Sequence, residues 1–148
     1  ERLVGAGSEA TAQEDVADEL AHANKGRATD PEAHRLMLLG RHILDRANEN
    51  DTIKAVGYLR ESLELDPKNA FCWVLLGRAY FEASNYGWRS LDVDYQNAEE
   101  ALNRAIALEP DLGESLARLG RIRWYRDGDI LGAEEYLTRA LAMAMRWR

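Results

Sequence analysis

The sequence has 148 residues, enough for one domain with a substantial core, and it is 46% hydrophobic and 30% charged. With 11 glycines, three prolines and one cysteine, this composition excludes fibrous, disordered and disulfide-rich classes and favours a helix-rich globular protein. The net charge of −7 arises mostly in residues 1–32, which hold eight acids and three bases, so the nearly balanced remainder is not expected to attract nucleic acid or anionic lipid generally.

Two features of the whole chain bear on its compartment. Cys72 has no partner for an internal disulfide, and we expect it to be a buried thiol. No apolar run is long enough to span a membrane, and no basic and apolar leader begins the chain. We therefore expect a cytoplasmic protein without membrane association; the first residue, Glu1, indicates a segment of a longer protein.

The amino-terminal segment, residues 1–30, is acidic, and two structures are considered for it. Residues 9–23 fit an amphipathic helix with Val16, Leu20 and Ala23 on one side. Such a helix would cap the first face of the domain that follows, and the alternative is a partly disordered segment.

Three copies of a helical pattern follow, each marked by the triplet Leu-Gly-Arg. The glycines are Gly40, Gly77 and Gly120, and apolar residues surround each of them at helical spacing. A glycine inside a helix costs about 1 kcal/mol relative to alanine, so three equivalent glycines indicate close approach of a second helix.

A second helix in each copy has a small residue, a large apolar residue four positions later, and another small residue three positions beyond. Asp30-Pro31 precedes the first copy, and Asp66-Pro67 and Glu109-Pro110 separate the copies, since proline fits the first turn of a helix and not its interior. The triads are Ala55/Leu59/Ser62, Ala98/Leu102/Ala105 and Ala133/Leu137/Ala140.

The connection between the two helices is longest in the second copy. Tyr86-Gly87-Trp88 and the following residues form an insertion, and we expect part of the stretch from Leu91 to Tyr95 to lengthen the next helix. In the third copy, the stretch from Asp127 to Asp129 is predicted to form a turn with helix caps rather than a calcium loop.

These patterns resemble the tetratricopeptide repeat, a helix-turn-helix unit, over residues 31–148. The copies span about 31–67, 68–110 and 111–148; the second is the closest match, whereas Ile43 and Arg123 stand where the family has an aromatic residue. The resemblance implies an all-α fold, an α-α superhelix of three helix pairs, and a non-catalytic role in protein binding.

A narrower resemblance concerns the setting of the repeats. The run from Leu38 to His42, the turn from Asp127 to Asp129, and the segment from Gln13 to Ala21 are similar to the repeat regions behind bacterial class III nucleotide cyclases and some winged-helix transcriptional activators. This likeness implies a regulatory domain, while no residues of a cyclase active site occur in the sequence.

In the repeat family the first helices line a concave groove, and helical phase selects the residues that face it. Arg41, Arg78 and Arg121 are equivalent and suit an acidic peptide, because a guanidinium binds a carboxylate bidentately. Alternatively, the arginines pair with nearby acids, and the aromatic residues lie in the core between copies. The predicted groove residues are Met37, Arg41, Leu44, Val74, Arg78, Phe81, Arg118, Arg121 and Trp124.

No catalytic, cofactor or metal site is predicted. His22, His34 and His42 lack the spacing of metal ligands, and no phosphate loop or nucleophile motif occurs. Nucleic-acid binding is a minor alternative that rests on one cluster, Arg118, Arg121, Arg123, Trp124, Tyr125 and Arg126.

The main functional alternative is a structural domain that self-associates or packs on its parent protein. Apolar residues from Met143 to the end of the chain, with Trp147, are predicted to form an exposed surface suited to a homodimer. The leading prediction remains a module that binds an acidic protein or peptide partner.

Overall fold

The computed structural model describes residues 30–46, 48–84 and 91–146, together with residues 13, 14 and 16. Over these residues the chain is all-α, with six consecutive helices and no strand. The helices are α1 (Pro31–Asp45), α2 (Glu49–Leu65), α3 (Ala70–Ser84), α4 (Leu91–Leu108), α5 (Gly113–Asp127) and α6 (Ile130–Arg146). Most of the amino-terminal segment predicted to cap the first face, the insertion around Tyr86-Gly87-Trp88, and Trp147 lie outside the described residues.

The helices pack in the order of the chain. The closest associations are α1 with α2, α3 with α4, and α5 with α6, and each pair then contacts the next through α2 with α3 and α4 with α5. Among the described helices, α1 also touches α3, and α3 touches α5, whereas α1 and α5 do not meet. One apolar core runs through α1 to α5 and centres on α3, most of whose side chains are buried.

The helix ends lie where the acid-proline pairs predict them. Asp30 caps α1, since its Oδ1 accepts hydrogen bonds from the backbone N–H groups of Glu32 and Ala33 at 2.8 and 3.0 Å. α2 and α4 end immediately before Asp66-Pro67 and Glu109-Pro110. α4 begins at Leu91, so part of the second connection does lengthen this helix.

The turn from Asp127 to Asp129 is a pair of helix caps, as predicted. Gly128 ends α5 in the left-handed conformation with φ 65°, which glycine adopts without strain. Asp129 then caps α6 by accepting a hydrogen bond from the backbone N–H of Gly132 at 2.8 Å.

The repeated spacing within each copy brings two helix backbones together at the glycine. A Cβ on Gly77 would lie 2.7 Å from Leu102 Cγ and 3.4 Å from the carbonyl oxygen of Ala98. Gly40 meets Leu59 and Ala55 at the same distances, and a Cβ on Gly120 would lie 3.1 Å from the carbonyl oxygen of Ala133 and 3.2 Å from Leu137 Cγ. The predicted close approach is confirmed, and a side chain at Gly40 or Gly77 would displace a buried leucine.

Ser62 holds the place that alanine has in the other triads. Its side chain is buried, and its hydroxyl donates a 2.7 Å hydrogen bond to the carbonyl oxygen of Ala33 in α1. The substitution therefore adds a bond between α1 and α2 while keeping the residue small.

Gly77→Ala and Gly57→Ala should change stability in opposite directions. The first places a methyl group against Leu102 and should lower the free energy of unfolding by about 1–3 kcal/mol. Gly57 lies inside α2, and a methyl group added to it would meet open space, so alanine there should raise the free energy of unfolding by about 0.5–1 kcal/mol. Urea denaturation of both variants provides the measurement, and two changes of the same sign would contradict the packing described.

Candidate functional site

The nine predicted groove residues all lie on α1, α3 and α5, which contact one another in that order. They divide into three groups by environment. Four are buried, two are arginines paired with acids, and three present exposed polar or aromatic surface.

Met37, Leu44, Val74 and Phe81 belong to the core and do not present surface to a ligand. Neighbouring segments cover them. The Asn69 amide donates to Met37 Sδ at 3.4 Å, and the ring of Phe81 packs 5.8 Å from that of Tyr95 in its own second helix and 6.2 Å from that of Tyr125 in the following pair. These four side chains are buried because neighbouring helices, rather than solvent, lie against the sides of α1 and α3 that carry them.

Arg41 and Arg121 are the exposed guanidinium groups of this face. Arg41 lies over the ring of Phe71 at 5.6 Å, and Arg121 lies over the ring of Phe81 at 4.9 Å. Both distances are those of cation–π contacts, which orient a guanidinium without neutralising its charge. Neither arginine forms an ion pair within the part of the chain that the structure describes.

Arg78 lies between them and is neutralised. It donates to Asp45 Oδ1 at 2.8 Å and to Glu82 Oε1 at 2.7 Å, and its Nη2 also reaches the carbonyl oxygen of Leu44. Burial acts to lower the pKa of Arg78, but the two carboxylate partners outweigh burial and hold it above its ordinary value. Arg78 thus ties α3 to α1.

Arg118 is likewise paired within its own helix, to Glu114 at 2.7 Å. Other arginines of the cluster considered for nucleic acid also have acidic partners. Arg126 binds Glu99 at 2.6 Å and Asp127 at 2.7 Å, and Arg123 lies 3.5 Å from Asp127. The cluster therefore presents far less free positive charge than its sequence indicates.

An apolar groove lies across the outer side of α5 and α6. Its floor is Leu137 and Leu141, with Trp124 and Ile130 at one end and Leu112 and Ala144 at the other. Its two depressions have volumes of about 370 and 590 Å³. Tyr125 stacks on Trp124 with ring centroids 6.1 Å apart, and both rings are exposed.

Sequence reasoning placed Trp124 in the functional face but missed Leu137, Leu141 and Ile130. Leu137 was predicted only as the large apolar member of the third triad, and 39% of it is exposed. Among the described helices none packs against the outer side of this last pair.

Cys72 is buried, as predicted. Its thiol lies 3.7 Å from the carbonyl oxygen of Leu59, and burial raises its pKa to about 11, only partly opposed by the polar Ser62 side chain. At neutral pH the group is a protonated thiol and a poor nucleophile.

No family model matches this chain, and no curated protein matches it in sequence. Within the described ranges, no group of three or more His, Cys, Asp or Glu side chains is placed to hold a metal ion. None of the helices described has both the length and the apolar character needed to cross a bilayer.

The raised pKa of Cys72 predicts a loss of stability in alkali. Between its ordinary value of 9.0 and about 11, the unfolded chain releases the thiol proton while the folded chain retains it. The free energy of unfolding should therefore fall by up to about 1.4 kcal/mol per pH unit from this group. Urea denaturation from pH 8 to 10.5 should show a steeper fall for the native sequence than for Cys72→Ala, and parallel curves would contradict it.

Proposed function

We propose that this chain is a non-catalytic module for protein–protein interaction, a cytoplasmic domain of the tetratricopeptide type. Its three helix pairs would form an α-α superhelix in which α1, α3 and α5 line the concave face. The repeated glycine contacts and the contact of each pair only with its neighbours support this architecture.

The observation that carries the proposal is a pair of oriented guanidinium groups, Arg41 and Arg121, that form no ion pair with any described residue. Arg41 lies over Phe71 near the start of α3, and Arg121 lies over Phe81 near its end. The two rings are ten residues apart in α3, which corresponds to about 15 Å along its axis, and the arginines over them also lie on different helices, α1 and α5, which do not contact each other. Arg78 lies between these sites, and its charge is already matched by Asp45 and Glu82.

This arrangement favours a peptide with two acidic side chains at least about 15 Å apart. In an extended segment, which rises about 3.3 Å per residue, those acids would be at least about five residues apart. In a helical ligand they would be at least about ten residues apart. Each carboxylate would bind one guanidinium bidentately, and exposed apolar surface such as Leu38 would contact the residues between them.

The alternative is a structural or regulatory domain that self-associates or packs on a parent multidomain protein, such as a bacterial nucleotide cyclase. The exposed apolar side chains of α6, among them Leu131, Leu141 and Met145, favour this alternative. Such a patch on a protein surface marks an interaction site more often than a solvated one.

The peptide-binding proposal predicts an acid-dependent selection from a peptide display library. The native protein should enrich extended peptides with two acids at least about five residues apart, and Arg41→Glu/Arg121→Glu should lower affinity for them at least about 100-fold, since each lost charged hydrogen-bond pair is worth about 1.5–3 kcal/mol. Fluorescence anisotropy with the selected peptides gives the measurement.

The matched control is Arg104→Glu/Arg139→Glu. These arginines make the same kind of contact over Trp73 and Tyr136, at 4.8 and 5.8 Å, but lie on second helices. If the control loses as much affinity, the loss in Arg41→Glu/Arg121→Glu is explained by net charge alone. Selection of peptides without paired acids would contradict the proposal.

A further inference from the structure

The last helix pair exposes side chains that the preceding pairs bury at equivalent positions. Leu59 and Leu102 are 0% exposed, whereas Leu137 is 39% exposed. In the first helices, Phe81 is 6% exposed, whereas the equivalent Trp124 is 57% exposed. The groove between α5 and α6 therefore corresponds to grooves that are filled elsewhere in the described chain.

A helix fills each of the two equivalent grooves. α3 packs against both α1 and α2, and α5 packs against both α3 and α4. The open groove has room for an occupant of the same kind, since its floor extends from Ile130 to Ala144, or about 21 Å along α6, which is the length of about four helical turns. The geometry therefore favours an amphipathic helix laid into an apolar groove.

The residue directly after the first alanine of each triad shows which charge the filling helix carries. In the second pair this residue is Glu99, and Arg126 of the filling helix α5 pairs with it at 2.6 Å. In the first pair it is Val56, and α3 has Ala83 where α5 has Arg126; both of these apolar side chains are buried. An acid at this position is thus matched by a base in the filling helix, and an apolar residue by an apolar residue.

In the last pair this position holds Glu134, on the wall of the open groove. Glu134 is exposed and forms no ion pair with any described residue. The other polar side chains that line the groove are Thr138, Asp111 and Glu114, and none of the described residues that line it is basic. Because Glu114 already pairs with Arg118, Glu134 is the carboxylate that a base in the occupant would neutralise.

We propose that the groove between α5 and α6 binds a basic amphipathic helix of a partner protein. Two apolar side chains of that helix, three residues apart, lie on the floor of the groove, and a lysine or arginine four residues further on pairs with Glu134. These are the intervals of Leu119, Ile122 and Arg126 in α5, the helix that fills the preceding groove. The site is distinct from the face proposed for acidic peptides, so it adds a second partner of opposite charge to that function.

A second copy of the chain is the poorer source of this helix. α6 carries more exposed large apolar side chains than any other described helix, and Glu134 lies among them. Pairing α6 with its copy would enclose two carboxylates between apolar side chains, which is costly unless each gains a base. Arg139, the base of α6 nearest to Glu134 in sequence, lies over Tyr136 on the side of the helix that packs against the core. A separate protein is therefore the better source of the base.

Three synthetic helical peptides of about 18 residues test the proposal. All three have the same stripe of leucines, and they differ only at the flanking positions, which hold lysine, glutamine or glutamate. In fluorescence anisotropy the native protein should bind the lysine peptide at least about tenfold more tightly than the glutamine peptide, and the glutamate peptide most weakly. Equal affinities for the three peptides, or no binding of the lysine peptide, would overturn the proposal.

Matched variants on α6 locate the binding site. Leu141→Glu and Glu134→Lys change side chains that line the groove. Leu131→Glu and Glu135→Lys are the controls, because they make the same changes at exposed positions that do not line it. The first two variants should weaken binding of the lysine peptide at least about tenfold, and the controls should leave it within about twofold. Glu134→Lys should also bind the glutamate peptide more tightly than the native protein does. Circular dichroism checks that all four variants are folded, and equal losses in the two sets would overturn the proposal.

Two further measurements separate this site from its alternatives. If the native protein self-associates in sedimentation velocity and Leu141→Glu dissolves the complex, a second copy occupies the groove and the proposal is wrong. Arg41→Glu/Arg121→Glu should not weaken binding of the lysine peptide. A loss in that variant would place the peptide on the other face and overturn the proposal, whereas loss of acidic-peptide binding alone would leave it standing.

Discussion

The contact of Gly40, Gly77 and Gly120 with the second helix of each pair is the constraint on which the rest of the molecule depends. With hydrogen at these positions, Leu59 and Leu102 lie directly against the first helix and are fully buried. Close backbone approach fixes the rotation of both helices, so every other side chain has a defined direction. The glycine costs helix propensity, and the buried leucine offsets that cost through its packing.

The helix pairs could be predicted from sequence because their determinants are local. Small and large residues at helical spacing identify the two faces that meet, and acid-proline pairs identify the ends. The environment of the remaining face could not be predicted in the same way. Helical phase places Val74 and Phe81 outside the apolar stripe around Gly77, but it does not show whether a neighbouring helix or solvent covers them. That depends on how pairs stack, which no single helix encodes.

The arginines illustrate the same limit for charge. Arg41, Arg78 and Arg121 have equivalent positions in sequence, yet only Arg78 has Asp45 and Glu82 within hydrogen-bond distance. Asp45 lies in a different helix pair, so its effect on Arg78 depends on tertiary placement. The other two guanidinium groups lie over phenylalanine rings, which restrict their motion while leaving their hydrogen-bond donors available to a ligand.

α5 connects the two candidate surfaces because it has two roles. On the side toward α3 it packs against the preceding helix pair, with Leu119 and Ile122 in the core and Arg121 over Phe81. On its other side it is a wall of the open groove, to which Trp124 contributes one helical turn after Arg121. Leu59 and Leu102 are fully buried and the equivalent Leu137 is 39% exposed, because among the described helices none packs against the outer side of α5 and α6. The same spacing in sequence therefore gives a core residue twice and a surface residue once, according to what lies against it.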